Sequence, residues 1–227
     1  MPEKLDLTQS RSVQDFLKAV YGLQQGEEPV ATNALAEVLD VKAPSVTDMA
    51  QRLESAGLVA YERYKGVRLT GTGEALALKV VRRHRLIELY LVSELGYRLQ
   101  EVHQEAEHLE HAVSDRFIEA IAAKLGHPDS DPHGDPIPSA DGTIAQRDMF
   151  PLTEWPLHTM AHVARIRAEN PEMLQHILDR GFKLQAHIEL LGRDPFEGPI
   201  TALVDGKMRV VGYQVATCIL VEPTEKP

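Results

Sequence analysis

One run of fifteen residues, Glu101–Asp115 (EVHQEAEHLEHAVSD), constrains this chain more than any other stretch. Three histidines and four glutamates fall between Glu101 and His111, with no Lys or Arg among them. On a helix, residues three and four apart share a face. His103, Glu107, Glu110 and His111 stand at i, i+4, i+7 and i+8, so the spacing predicts one polar stripe. Val102, Ala106, Leu109 and Val113 form a neighbouring apolar stripe that can dock on a core. Glutamates stacked this way repel one another unless a cation sits among them. Imidazole plus carboxylate, without thiolate, suits Mn, Fe, Zn or Co. The competing interpretation is a solvated acidic face, but such faces usually interleave basic residues with the acids.

At 227 residues, 43% of them hydrophobic and 26% charged, the chain suits two or three small domains. The single cysteine, Cys218, excludes an internal disulfide and fits a reducing cytosol. Its surroundings, VATCILV, read as a buried strand in which a packing role is expected. A net charge of −10 argues against non-specific nucleic-acid binding by the whole molecule. DNA binding by one region stays open, because affinity depends on where the cations lie. The N-terminus MPEKLDLTQSRS lacks the apolar segment of a signal peptide, and no apolar run reaches bilayer-spanning length. A cytoplasmic protein without a membrane partner is expected.

From Ser12, the residues Val13, Phe16, Leu17, Val20, Tyr21 and Leu23 repeat at helical spacing, with Gly26 and Pro29 as breakers. A short helix through Ala34 to Leu39 follows, then a tight connection, Asp40–Ala43. Pro44 sits where a first helical turn tolerates it, and the next helix runs to about Ala56, closed by Gly57. Leu58–Glu62 and Val67–Thr70, joined by Arg63-Tyr64-Lys65-Gly66, read as a β-hairpin. This is the order of a winged helix-turn-helix, whose second helix enters a major groove while the hairpin tip reaches phosphates. Ser45, Thr47 and Asp48 are then expected at base edges, and Lys42, Arg52, Arg63 and Lys65 at the backbone of double-stranded operator DNA. A long helix begins near Thr72 and places His84 and Glu88 four apart. The acidic helix follows it and continues through Phe117, Ile118, Ile121 and Leu125. Such helices make a natural homodimer interface, as two DNA half-sites require. Gly126–Gly142 is dense in Pro, Gly and Asp and reads as a linker. Beyond it, runs at 162–166, 186–191, 200–204, 209–211 and 216–221 read as strands of a small SH3-like β-barrel. They are interrupted by a helix at Pro171–Asp179, and Asp205-Gly206 supplies a hairpin turn.

The expected fold is therefore mainly α with a β-hairpin wing and a helical dimerisation region, followed by the barrel. The expected boundaries are 1–72 for DNA binding, 73–145 for dimerisation and metal binding (126–145 being linker), and 146–227 for the barrel. In that order of parts the chain resembles the diphtheria-toxin-repressor and manganese-transport-regulator family. The stretches that carry the resemblance are PSVTDMAQRLESAGLV at 44–59, RRHRLIELYL at 82–91, VHQEAEHLEHAVSD at 102–115 and PHGDPIP at 132–138. The resemblance implies a primary metal site of Asp15, Glu107, Glu110 and His111, and a second of His84, Glu88 and His103. Carboxylates stand at Asp15 and Glu107 where iron-responding members place Met and Cys. The resemblance thus implies Mn²⁺ as cofactor, with Fe²⁺ the alternative.

Three positions depart from the family pattern. Lys18 replaces a Glu that some manganese regulators carry. Asn170 and Met173 stand where the barrel of iron regulators lends ligands, leaving Glu172 or Glu169 as substitutes. Asp131 replaces a Cys before PHG. From spacing alone Asp15 belongs to a capping box, Ser12-Val13-Gln14-Asp15. His127, His133, His158, His162, His176 and His187 receive no role. The implied function is repression of metal-uptake genes, with the metal-free acids repelling and the first helix loosely held. A di-metal carboxylate enzyme is the rival class. It needs Glu-x-x-His on two helices, and Glu105–His108 is the only such pair.

Overall fold

The computed structural model describes residues 8–24, 26–168 and 170–224. They fall into two compact units. One holds the chain up to His84 with Leu109–Val113 and Pro138–Ile144; the other holds Arg85–His108, Ser114–Ile137 and the chain from Ala145 on.

The first unit contains α1 (Arg11–Leu23), α2 (Thr32–Val38), α3 (Ala43–Ser55), β1 (Val59–Glu62), β2 (Gly66–Leu69) and the start of α4 (Gly71–Leu95). Val13, Phe16, Leu17 and Val20 lie on one face of α1 and are buried, as their spacing predicts. They share a core with Leu35 of α2, Val46, Ala50 and Leu53 of α3, and Val59 and Val67 of the hairpin. Each of these large side chains contributes about 1.5–3 kcal/mol by leaving water. α1 stops at Leu23, ahead of both breakers. Pro44 lies in the first turn of α3, where its missing N–H costs nothing. The hairpin pairs Val59 with Leu69 through to Glu62 with Gly66. Val30 exchanges both backbone hydrogen bonds with Val67, which ties the hairpin to the chain before α2.

The second unit contains the rest of α4, α5 (Val102–Leu109), α6 (Asp115–Lys124), β3 (Phe150–Pro151), β4 (Met160–Ile166), α7 (Pro171–Asp179), β5 (His187–Arg193), β6 (Ile200–Val204), β7 (Lys207–Val211), α8 (Tyr213–Thr217) and β8 (Ile219–Pro223). Its six strands form one antiparallel sheet in the order β3-β8-β4-β5-β6-β7. Ile200, Ala202 and Val204 are buried at every second position of β6. They join Leu152, Phe182, Ile188, Leu190 and Ile219 in a single core. Asp205 (φ 47°) and Gly206 (φ 75°) make the β6–β7 turn in left-handed backbone.

Two expectations are corrected. The acidic helix does not run through: α5 ends at Leu109, Glu110 and His111 lie in a turn, and α6 starts afresh. Ser114 accounts for the restart, its hydroxyl accepting from Phe117 N as an N-cap. The run 216–221 is not one strand either. Ala216 and Thr217 end α8, Cys218 caps it with its Sγ 3.5 Å from Gln214 O, and only then does β8 begin. The Pro/Gly-rich segment, expected as a linker, is held by hydrogen bonds. Asp131 Oδ1 accepts from the backbone N–H of His133 (2.8 Å) and of Asp135 (2.9 Å). The Arg85 guanidinium donates to Pro136 O, and the His133 carbonyl accepts from Ile166 N at 2.9 Å.

Candidate metal centre and DNA-reading surface

In the first unit, α1 and the turn after α5 bring Asp15, Glu110 and His111 together. Asp15 projects from the second turn of α1; it does not cap the helix, whose N-cap is Ser10. His111 Nε2 stands 2.7 Å from Asp15 Oδ1 and 3.3 Å from Glu110 Oε1. That nitrogen is buried and makes no hydrogen bond of acceptable geometry. A ring nitrogen aimed between two carboxylates is disposed as a ligand, and the donor set fits a divalent transition ion. The other nitrogen, Nδ1, is 2.7 Å from Gln14 Oε1, the outer contact that orients a ligating imidazole.

Glu110 is fully buried. Lys18 Nζ, from the same helix as Asp15, donates to its Oε1 at 2.8 Å and its Oε2 at 3.0 Å. His84 Nδ1 lies 2.5 Å from Glu110 Oε2 and 3.2 Å from Lys18 Nζ. The expectation of acids left to repel one another is therefore corrected at Glu110, because an ammonium on α1 already neutralises it.

In the second unit, Glu88 of α4 is buried, and its Oε1 lies 3.2 Å from His103 Nδ1. Its Oε2 lies 3.5 Å from His133 Nδ1. Glu88, Asp131 and His133 form a further group whose ligand atoms converge. Burial, then the charges of Asp135 and Glu88, pushes the Asp131 carboxyl up to about 6. Burial alone would lower the His133 imidazole, but Glu88, Asp131 and Asp135 outweigh it and raise it. Two buried acids facing one imidazole, with the Arg85 guanidinium 3.8 Å from Asp131, make a second donor set. Sequence reasoning left His133 unassigned, although Asp131-Pro132-His133-Gly134-Asp135 sets a histidine between two acids within a turn. Glu107, on α5, lies 3.9 Å from His103 Nε2. Glu172 is exposed in the first turn of α7 and joins none of these groups, and Glu169 lies outside the described residues.

The other surface lies on α3 and the hairpin. Lys42, Ser45, Asp48 and Arg52 are exposed along α3 and its start. Thr47 is half-buried, its hydroxyl donating to Ala43 O at 3.2 Å. At the hairpin tip Arg63 stacks 4.9 Å from the centroid of the Tyr64 ring, and Lys65 pairs with Glu62 at 2.6 Å. Tyr64 is 91% exposed, an aromatic that sequence reasoning passed over. An exposed ring beside two cations suits contact with a nucleic-acid backbone.

Residues 8–67 match the iron dependent repressor N-terminal DNA binding domain, and 70–139 the iron dependent repressor metal binding and dimerisation domain. Residues 150–223 match the FeoA domain. An uncharacterized HTH-type transcriptional regulator of Methanocaldococcus jannaschii is 37% identical over 49% of this chain and 90% of its own. The iron-dependent repressor IdeR of Mycobacterium leprae is 33% identical, over 62% of this chain and 64% of its own. A solved manganese-dependent transcriptional repressor in complex with manganese matches with a TM-score of 0.85 at 40% identity, over 93% of this chain and 100% of that one. Among the described residues no helix is long and apolar enough to cross a membrane. The chain belongs to the diphtheria-toxin-repressor family and is a metal-dependent transcriptional repressor, a regulator and not an enzyme.

Proposed function

We propose that this repressor responds to Mn²⁺, works as a cytoplasmic homodimer on double-stranded operator DNA, and silences metal-uptake genes. The observation that carries the proposal is the buried His111 Nε2, aimed between Asp15 and Glu110 without a hydrogen bond. Asp15, Glu107, Glu110 and His111 would hold the primary ion. The family resemblance assigns His84, Glu88 and His103 to another ion, and within the second unit Glu88 also converges with Asp131 and His133. Oxygen and imidazole donors without sulfur favour Mn²⁺ over softer ions. The iron-dependent relatives keep Fe²⁺ as the alternative.

A bound divalent ion supplies positive charge that lets carboxylates of separate segments converge. The chain's own residues translate that convergence. Asp15 rides on α1, whose buried face packs in the same core as α3. Holding Asp15 against His111 therefore fixes the helix against which the recognition helix is packed. Ser45, Thr47 and Asp48 then meet base edges, while Lys42, Arg52, Arg63 and Lys65 meet phosphates. A metal-to-DNA coupling of about 1–3 kcal/mol, or about 5–150-fold in affinity, is the expected size. The test is a gel shift on genomic fragments selected by the Mn²⁺-loaded protein, repeated with chelator and with Asp15→Ala. Equal affinity with and without Mn²⁺ would sink the proposal.

A further inference from the structure

We propose that Gln14 is a positioning residue of the metal centre: it dictates which nitrogen of His111 carries the proton, and so leaves the other ready to bind an ion.

Gln14 Nε2 donates to the carbonyl of Thr8 at 3.0 Å. That bond fixes which end of the amide is which, so Oε1 faces His111 Nδ1 at 2.7 Å. A carboxamide oxygen only accepts, so Nδ1 must carry the hydrogen. An ion takes the neutral ring, which has a single N–H; with that hydrogen on Nδ1, the lone pair offered to the ion is on Nε2. Nε2 is the atom that stands 2.7 Å from Asp15 Oδ1 and is buried without a hydrogen bond. The opposite tautomer would put a hydrogen on Nε2, the position an ion must take. Gln14 tips the choice between the two, and its anchor lies in the chain just before α1.

The affinity part of this inference rests on His111 being a ligand; the tautomer part does not. The test uses the full chain with ¹⁵N-labelled histidine, metal-free and at a pH well above the imidazole range so that the ring is neutral, read by two-bond ¹H–¹⁵N correlation. Wild type and Gln14→Glu, which keeps the acceptor, should show His111 protonated on Nδ1. Gln14→Leu, which has no acceptor, should move the proton towards Nε2. Mn²⁺ binding is then measured against a competing chelator. In Gln14→Leu the ion that is lost in Asp15→Ala should bind roughly 10–100-fold more weakly, with the number bound at saturation unchanged. Gln14→Glu should keep at least wild-type affinity. An Nε2-protonated His111 in wild type, or Leu and Glu variants that behave alike, would overturn the role of Gln14. Should Asp15→Ala bind as many ions as wild type, the proposed primary site fails, while the tautomer measurement still decides on Gln14.

Discussion

Lys18 puts an ammonium where a site built only of acids would need a metal. It covers both oxygens of the fully buried Glu110, at 2.8 and 3.0 Å. Removing one partner of a buried ion pair costs about 3–5 kcal/mol, because the other charge is left in a poor solvent. Lys18→Met should therefore lower the unfolding midpoint of the metal-free protein by several degrees. It should also enlarge the rise produced by Mn²⁺, since the ion then answers a carboxylate that has lost its ammonium partner. Calorimetry with EDTA and with Mn²⁺ reads both; an unchanged metal-induced rise would make Lys18 a bystander. Glu222 offers a second residue-scale test away from the metal donors. Burial would raise its carboxyl, but Arg147 and then His162 hold it below the usual value. A folded value below the unfolded one means stabilisation present above the unfolded pKa and lost as pH falls through the folded one. Arg147→Ala should raise the Glu222 titration midpoint in a carboxyl ¹³C experiment, and an unmoved midpoint would exclude Arg147 as the cause. At this scale Glu110 and His111 could be proposed as donors from type and spacing, whereas Asp15 entered only through the family resemblance. The neutral Gln14 was not legible, because its partner His111 lies 97 positions away and only folding brings them together.

Among the elements, the hairpin depends on one close approach. Gly66 has φ 133°, and a Cβ there would overlap the carbonyl of Val30. Gly66→Ala should break the Val30–Val67 pairing and detach the wing. DNA affinity should then fall on every sequence, while the number of Mn²⁺ ions bound stays the same. Gel shifts beside metal counting check this, and intact DNA binding would show that the wing tip is idle. Arg63→Ala should reduce the slope of log affinity against log salt by about 1 if the guanidinium meets a phosphate. The helices of the first unit and the β6–β7 hairpin could be read from the sequence, since period and turn residues agree there. The break after α5 could not, because the 3.6-residue pattern continues across Ser114 and only the cap formed with Phe117 N favours a new start. The stretch 216–221 failed for a related reason: a short apolar run fits a buried helix end and a strand equally well.

For the whole molecule, the remaining question is which ion the repressor obeys, and hardness at two positions gives a way to decide it. Order of parts and ligand types led from sequence to a metal-responsive repressor. Selectivity between Mn²⁺ and Fe²⁺ was less legible, because imidazole and carboxylate accept both and affinity alone tends to favour Fe²⁺. By the family resemblance, carboxylates, Asp15 and Glu107, stand where iron-responding members carry thioether and thiolate. Replacing them by Asp15→Met and Glu107→Cys introduces soft donors while Glu110 and His111 remain. Linkage requires that an ion which strengthens DNA binding is itself bound more tightly in the presence of DNA, by the same factor. The double variant should therefore shift in two measurements together. Its operator affinity should rise more with anaerobic Fe²⁺ than with Mn²⁺, and operator DNA should tighten Fe²⁺ more than Mn²⁺. Wild type should show the reverse order in both. A double variant that still answered only to manganese would mean that donor hardness at these two positions is not the selector, and that the choice of ion lies with the remaining donors.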